Sequence, residues 1–319
     1  MNIIPNEKFI ETIKLLLPSE KSVASWLLNV LPLGKEAIYR RIYGETSFSL
    51  DEAILIAQKL NISLDRLYQN NVTIIKLNMQ EESKPEESYF QLLNEQTVYF
   101  QSLSHSENSS VYGAFNTIPY TFPLNYELIS KFQVYKYVFN FIAPYRQMIP
   151  LAKYTVSDEM KSYQHKCREA LSNVKNTQYI LNKRIFKFFA EDISHLHKMG
   201  KVNDLEKEQL KQEILSLIDE LEMICTSGQR KYRGNSVDIY LSNMHFETSH
   251  IYYESDDVCV TLLRLFTIYG LHSKNSNVCL KQKECFEAIR HTSTRISQSD
   301  ILLRKKYFSA QRKEIESVL

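Results

Sequence analysis

"PLGKEAIYRRIYGETSFSLDEAILIAQKLNISLDRLY", Pro32 to Tyr68, is the stretch on which the reading of the N-terminal part turns. Its spacing predicts a helix that opens near Gly34, buries Ala37, Ile38 and Ile42, and stops at Gly44, where a left-handed φ costs nothing. Ser49 with Glu52 three residues on has the form of a capping box for the next helix, with Leu50, Ala53, Ile54, Ala57 and Leu60 directed inward. Asn61 ends that helix, and Ser63 begins a short fifth one through Leu67. The first of these helices keeps Lys35, Glu36, Tyr39, Arg40 and Tyr43 on its outer side. Charge alone would solvate such a face. Tyrosine rings beside arginine forks fit a surface that something covers, and a DNA major groove accepts both.

Two helices precede this stretch. "NEKFIETIKLLLP" places Phe9, Ile10, Ile13, Leu16 and Leu17 on one face, with Asn6 as its cap and a stop at Pro18. "SEKSVASWLLNVLP" repeats the logic with Val23, Trp26, Leu27, Val30 and Leu31 and a stop at Pro32. Together, "SVASWLL", "YRRI" and the run "GE..FSLDEAILIAQKLNISLD" make residues 6–70 resemble the helix-turn-helix regulators of the Cro/CI superfamily, in particular the BetR-type variety. The resemblance implies sequence-specific binding of double-stranded DNA and control of transcription. It makes Gly34 to Tyr43 the recognition helix, with Lys35, Glu36, Tyr39 and Arg40 at base edges and Arg41, Tyr43 and Ser47 on the DNA backbone. The connection "NVLPLG" reads as longer than the three or four residues of a tight helix-turn-helix. Residues 1–70 hold eight Lys or Arg against eight Asp or Glu, so nonspecific attraction to phosphates is weak and a homodimer is expected to supply the affinity.

The whole chain, 319 residues with a formal charge of +2 and 44% hydrophobic residues, is long enough for two domains and has no global field for polyanions or acidic membranes. Only 7 glycines argue against Gly-rich phosphate loops and tilt the expectation toward helices. Five cysteines without C-x-x-C spacing, and an N-terminus without a signal core, point to a reducing cytoplasm. The apolar window "VCVTLLRLFTIYGL" is interrupted by Arg264 and is too short to span a bilayer. The polar, acidic "QEESKPEES" marks a linker, which divides the chain into residues 1–70, a linker at 71–88 and a second domain over 89–319.

In that second domain "YILNKRIFKFFAEDISHLHKMG" reads as a helix with Leu181, Ile185, Phe189, Ile193 and Leu196 inward. "NDLEKEQLKQEILSLIDELEMIC" reads as a helix capped by Asn203 and Glu206, and its seam of Leu210, Ile214, Leu217, Leu221 and Ile224 suits burial across a two-fold axis. "VDIYLSNMHF", "SHIYY" and "VCVTLLRLF" suggest a small antiparallel sheet, although the third also fits a buried helix. The expected fold is therefore mainly α, an N-terminal helix-turn-helix bundle followed by a larger helical domain with a small antiparallel sheet (α+β). Arg295, Ser297, Ser299 and Arg304, at the start of a C-terminal helix capped by Ser297 or Ser299, form a candidate anion site. "AFNTIPYTFPLNY" is aromatic enough either to line a pocket or to pack as a connection. His195 and His197 lie on different helix faces, Cys279 and Cys285 with His272 or His291 lack zinc spacing, and Asp256 with Asp257 reads as a turn. The expectation is a transcriptional regulator, not an enzyme, with no metal or cofactor and a C-terminal domain that dimerises or senses an unknown effector. The alternative is a module whose N-terminal bundle binds a protein.

Overall fold

The computed structural model describes residues 5–17, 19–60, 62, 64, 87–141, 149–230, 235–256, 258–265 and 269–319. The chain divides into two compact units, Met1–Ile74 and Ile75–Leu319. The linker expected at 71–88 lies, up to residue 86, outside the described residues, as does most of the fifth helix expected through Leu67.

The first unit is built from α1 (Pro5–Leu16), α2 (Glu20–Val30), α3 (Lys35–Ile42) and α4 (Leu50–Leu60). Phe9, Ile13, Val23, Leu27, Ile38, Ile42 and Ile56 form its core, with Trp26 and Tyr39 packed on the margin. Ser19 and Ser22 cap α2 reciprocally, and the Ser49–Glu52 box caps α4. Asn6 does not cap α1; it lies inside the helix, where its Oδ1 accepts from the Phe48 N–H at 3.1 Å. The phase expected for α4 is also corrected. Leu50 and Ile54 are exposed, and the inward row is Ala53, Ile56, Ala57 and Leu60, spaced i, i+3, i+4, i+7, with Ile56 and Ala57 buried and Ala53 and Leu60 partly so. Leu16 likewise faces outward. Helix α2 continues through Asn29 and Val30, so the link to α3 is only Leu31 to Gly34, four residues, instead of the longer turn that Pro32 suggests.

The second unit overturns the expected fold class. A seven-stranded mixed sheet replaces the small antiparallel one, in the order β6-β5-β4-β1-β2-β3-β7. Its strands are β1 (Ser110–Phe115), β2 (Asn176–Leu181), β3 (Ser236–Ser242), β4 (His250–Glu254), β5 (Cys259–Leu265), β6 (Tyr269–Ser273) and β7 (Ser293–Arg295). Strands β1, β2 and β3 are parallel neighbours, from Ser110↔Asn176↔Ser236 to Phe115↔Leu181↔Leu241. The antiparallel β4-β5-β6 meander adds to β1 on the other side, and β7 closes the far edge antiparallel to β3. Helices α5 (Glu87–Ser104), α6 (Glu127–Phe141), α7 (Asp158–Ser172), α8 (Ile185–Lys198), α9 (Asp204–Ser227), α10 (Ser276–His291) and α11 (Ile301–Val318) complete the unit.

The alternation of each strand sorts the core into two layers. Val111, Phe115, Tyr179, Leu181, Val237, Ile239, Ile251, Tyr253, Val260 and Leu262 share the large core with residues of α5–α9 and α11. Ala114, Ile180 and Tyr240 face the opposite way, onto Phe286 of α10. Strands β1 and β2 escaped the sequence because each is six residues long and largely buried on both faces, which erases the polar alternation of a one-sided strand. The helix expected from Tyr179 begins only at Ile185, since Tyr179 to Leu181 pair in the sheet.

The α9 seam closes inside its own unit. Leu210, Ile214, Leu217 and Leu221 are buried in the large core, Ile224 packs on its margin, and the seam is not free to cross a two-fold axis. Leu217→Ala should cost about 2–5 kcal/mol of unfolding free energy in urea, the range for truncating a buried leucine, and Leu217→Glu should yield unfolded or insoluble protein. A folded Leu217→Glu monomer would refute this placement.

Candidate nucleic-acid interface

Helix α3 has only eight residues and too few internal hydrogen bonds to stand alone, so its position depends on what it packs against. Ile38 and Ile42 anchor one side in the core. Arg41 anchors a second side. Its Nε donates to Glu52 Oε2 at 2.8 Å, Nη2 to Oε1 at 2.9 Å, and Nη1 to the Ala37 carbonyl at 3.2 Å. The pair is well shielded, with 15% and 14% of the two side chains exposed. Glu52 also accepts from the Ser49 N–H at 2.9 Å, so one carboxylate caps α4 and clamps α3 to it. Burial works against the Glu52 charge, but the Arg41 fork and the Ser49 N–H outweigh it and hold the carboxyl below its ordinary value. Arg41, expected on the DNA backbone, is thus committed to the fold.

The rest of the outer face is arranged differently. Lys35, Glu36, Arg40 and Ser47 are exposed, and among the described residues neither Lys35 nor Arg40 is paired with a carboxylate. Tyr43 is 60% exposed, and its ring stacks on Tyr39 with centroids 6.1 Å apart and planes at 20°. Tyr39 is half-buried against the core, which corrects the expectation of a ring left for DNA to cover. The structure therefore brings Lys35, Glu36, Arg40 and Tyr43 onto the outward side of one helix and withdraws Arg41 and Tyr39. Nothing local announced the Arg41–Glu52 pair, because eleven residues and a turn separate its members.

The four residues of the candidate anion site do not converge on an open position. Asp238 of β3 fills it. Arg295 pairs with the Asp238 carboxylate at 2.5 Å, and the Ser297 hydroxyl donates to the same oxygen at 3.1 Å. Ser299 donates to the Arg295 carbonyl, Arg304 donates to the carbonyls of Ile296 and Ser299, and Asp300 caps α11 in place of either serine. His197 Nε2 lies 2.9 Å from Asp204 Oδ1. Asp256 accepts from Ser106 and Asn108, while Asp257 lies outside the described residues. Among the described residues no three His, Cys, Asp or Glu side chains are grouped as metal ligands, and no helix is long and apolar enough to cross a membrane.

Comparison with known proteins finds no match to a family model, to a curated protein or to a solved structure.

The clamp has a measurable pH signature. Removing Arg41 leaves the Glu52 carboxylate partly desolvated without its main partner, so Arg41→Ala should lower stability at pH 7 by about 1–3 kcal/mol, the scale of hydrogen bonds to a charged group. Because the folded Glu52 pKa is depressed, the contribution is present above its unfolded value of about 4.3 and is lost as pH falls through the lower folded value. The difference between wild type and variant should therefore shrink as pH falls below about 4.3. A difference that persists undiminished at pH 3 would show that the effect is not carried by the ion pair.

Proposed function

We propose that this protein is a cytoplasmic, sequence-specific DNA-binding transcriptional regulator that reads the major groove with α3. The observation that carries the reading is an arginine and a lysine without a carboxylate partner among the described residues, beside an exposed tyrosine, on a short helix that another arginine clamps in place. A helix held from behind and furnished in front suits base reading, because a base contact needs a donor fork positioned before the DNA arrives. The four-residue link from α2 to α3 also fits the compact turn of such readers. Eight basic against eight acidic residues in 1–70 leave little for long-range attraction, and a homodimer on two half-sites supplies the missing affinity. The second unit then has a regulatory role.

A second reading, docking of a protein on the first unit, is favoured by one observation. Leu15, Leu28, Leu50, Ile54 and Leu55 are all exposed, Leu15 at 86% and Leu50 at 72%. Gel-shift assays on fragments of the source genome separate the two. At low salt the wild type should select a subset of fragments. Arg40→Ala should lose about 5- to 150-fold on those fragments, corresponding to about 1–3 kcal/mol for a bidentate base contact, and much less on random DNA. An equal loss on all sequences would make Arg40 a phosphate contact, and absence of any shift at low salt would hand the first unit to the protein-docking reading.

A further inference from the structure

The second unit contains a cleft of about 250 Å³ at the carboxyl end of β1. Its walls come from four directions: Phe115 to Tyr120 after β1, Gln133 and Lys136 of α6, Phe189 of α8, and Glu247 to Ser249 before β4, with Arg264 of β5 rising from the sheet. All of these strand ends coincide because Ala114 pairs with His250 and His250 with Leu263. The rim is fixed by a clasp. The Asn116 N–H donates to Ser249 Oγ at 3.1 Å, Ser249 Oγ donates to Asn116 Oδ1 at 2.6 Å, and Asn116 Nδ2 donates to the Glu247 carbonyl at 2.7 Å.

Arg264 is the anomaly. It follows Val260 and Leu262 in the inward row of β5, a row otherwise spent on the large core. Its guanidinium lies 4.9 Å from the centroid of the Tyr120 ring, and among the described residues no carboxylate pairs with it. Tyr120 is itself engaged, donating to Gln96 Oε1 at 2.8 Å. Burial lowers the Arg264 pKa from its ordinary value, the surrounding phenols oppose this, and an arginine remains charged at neutral pH in any case. Desolvating an ion without a partner is expensive, so a partner of opposite charge is what such a site lacks. Gln133 Oε1, on the same lining, is buried and finds no hydrogen-bond partner among the described residues.

The other charges limit what that partner is. Lys136 Nζ is 2.7 Å from Asp192 Oδ2, so this lysine is already neutralised. Glu247 sits exposed at the rim, unpaired among the described residues. One cation without a carboxylate partner, half-buried in the cleft, balances one negative charge, and a doubly charged phosphate would add a second beside Glu247. Phe115, Ile118 and Phe189 supply apolar walls for the remainder of a ligand, in a volume just below the ~300–1,000 Å³ usual for small-molecule sites, which limits the ligand to a small one. We propose that this cleft binds a small monocarboxylate with an apolar body, its carboxylate on the Arg264 fork and its body against Phe115, Ile118 and Phe189. The proposal does not depend on the reading of α3.

The test is calorimetric titration of the full-length protein with benzoate, phenylacetate and hexanoate, with inorganic phosphate as the dianion control and ionic strength held constant with chloride. At least one of the three carboxylates should saturate at one per chain, and phosphate should not. Arg264→Gln should weaken that binding at least tenfold without lowering Tm, because it removes a charge that no carboxylate among the described residues balances. Glu247→Gln, at an exposed side chain, should keep the fold and tighten the carboxylate severalfold by removing a like charge. No saturable binding of any of the three, equal affinity in Arg264→Gln, phosphate binding as well as the carboxylates, or weaker binding in Glu247→Gln would each overturn the proposal. If Arg264→Gln fails to fold, the sign of the Glu247→Gln effect still decides.

Discussion

An eight-residue helix cannot fix its own orientation, and everything proposed for α3 rests on the contacts that fix it. Two of these are ordinary burial, through Ile38 and Ile42. The third is the fork from Arg41 to Glu52, which uses a carboxylate already engaged at the start of α4. Sharing one acceptor between a cap and a clamp couples the two helices: loosening α4 at its first turn loosens the base of α3. It also explains why adjacent arginines have different fates. Arg41 lies at about 100° from Arg40 around the helix axis, enough to turn one guanidinium onto α4 and leave its neighbour outward.

The second unit is organised around β1. That strand joins a parallel half, β2 and β3, to an antiparallel half, β4 to β6, so both halves of the sheet take their register from six residues. Gly113 within it makes room for the Phe115 ring, since a Cβ there would meet that ring at 2.3 Å. The same ring then forms one wall of the Arg264 cleft. A glycine that looks like a weak point in a strand thus positions an aromatic side chain two residues on. The cleft lies where the end of β1 meets the start of β4 and the end of β5.

Much of the first unit was legible because short amphipathic helices carry their own signals. The Gly44 stop, the Ser49–Glu52 box and the inward isoleucines of α3 can all be read from spacing. The phase of α4 could not, because Leu50, Ile54, Leu55 and Ile56 give two overlapping apolar rows and only the neighbouring helices choose between them. The parallel sheet was illegible for a different reason. Doubly buried strands such as Asn176–Leu181 show no period, and the apolar residues of β2 run on into the helical pattern of α8. Arg264 was visible as the interruption of an apolar run. Its meaning needed the pairing of β5, which places it in an inward row. Asp238, which fills the supposed anion site, stands 57 residues from Arg295 and left no trace in sequence.

The central claim is that the outward side of α3 reads DNA sequence. Genome-wide footprinting of the protein in its source cells, compared with the Lys35→Ala/Arg40→Ala double variant, tests it most directly. The account predicts discrete protected sites with two-fold symmetric half-sites about one or more helical turns apart, lost or degenerate in the double variant although its protein remains folded. Uniform, sequence-independent protection, or a set of sites unchanged by the double substitution, would contradict it.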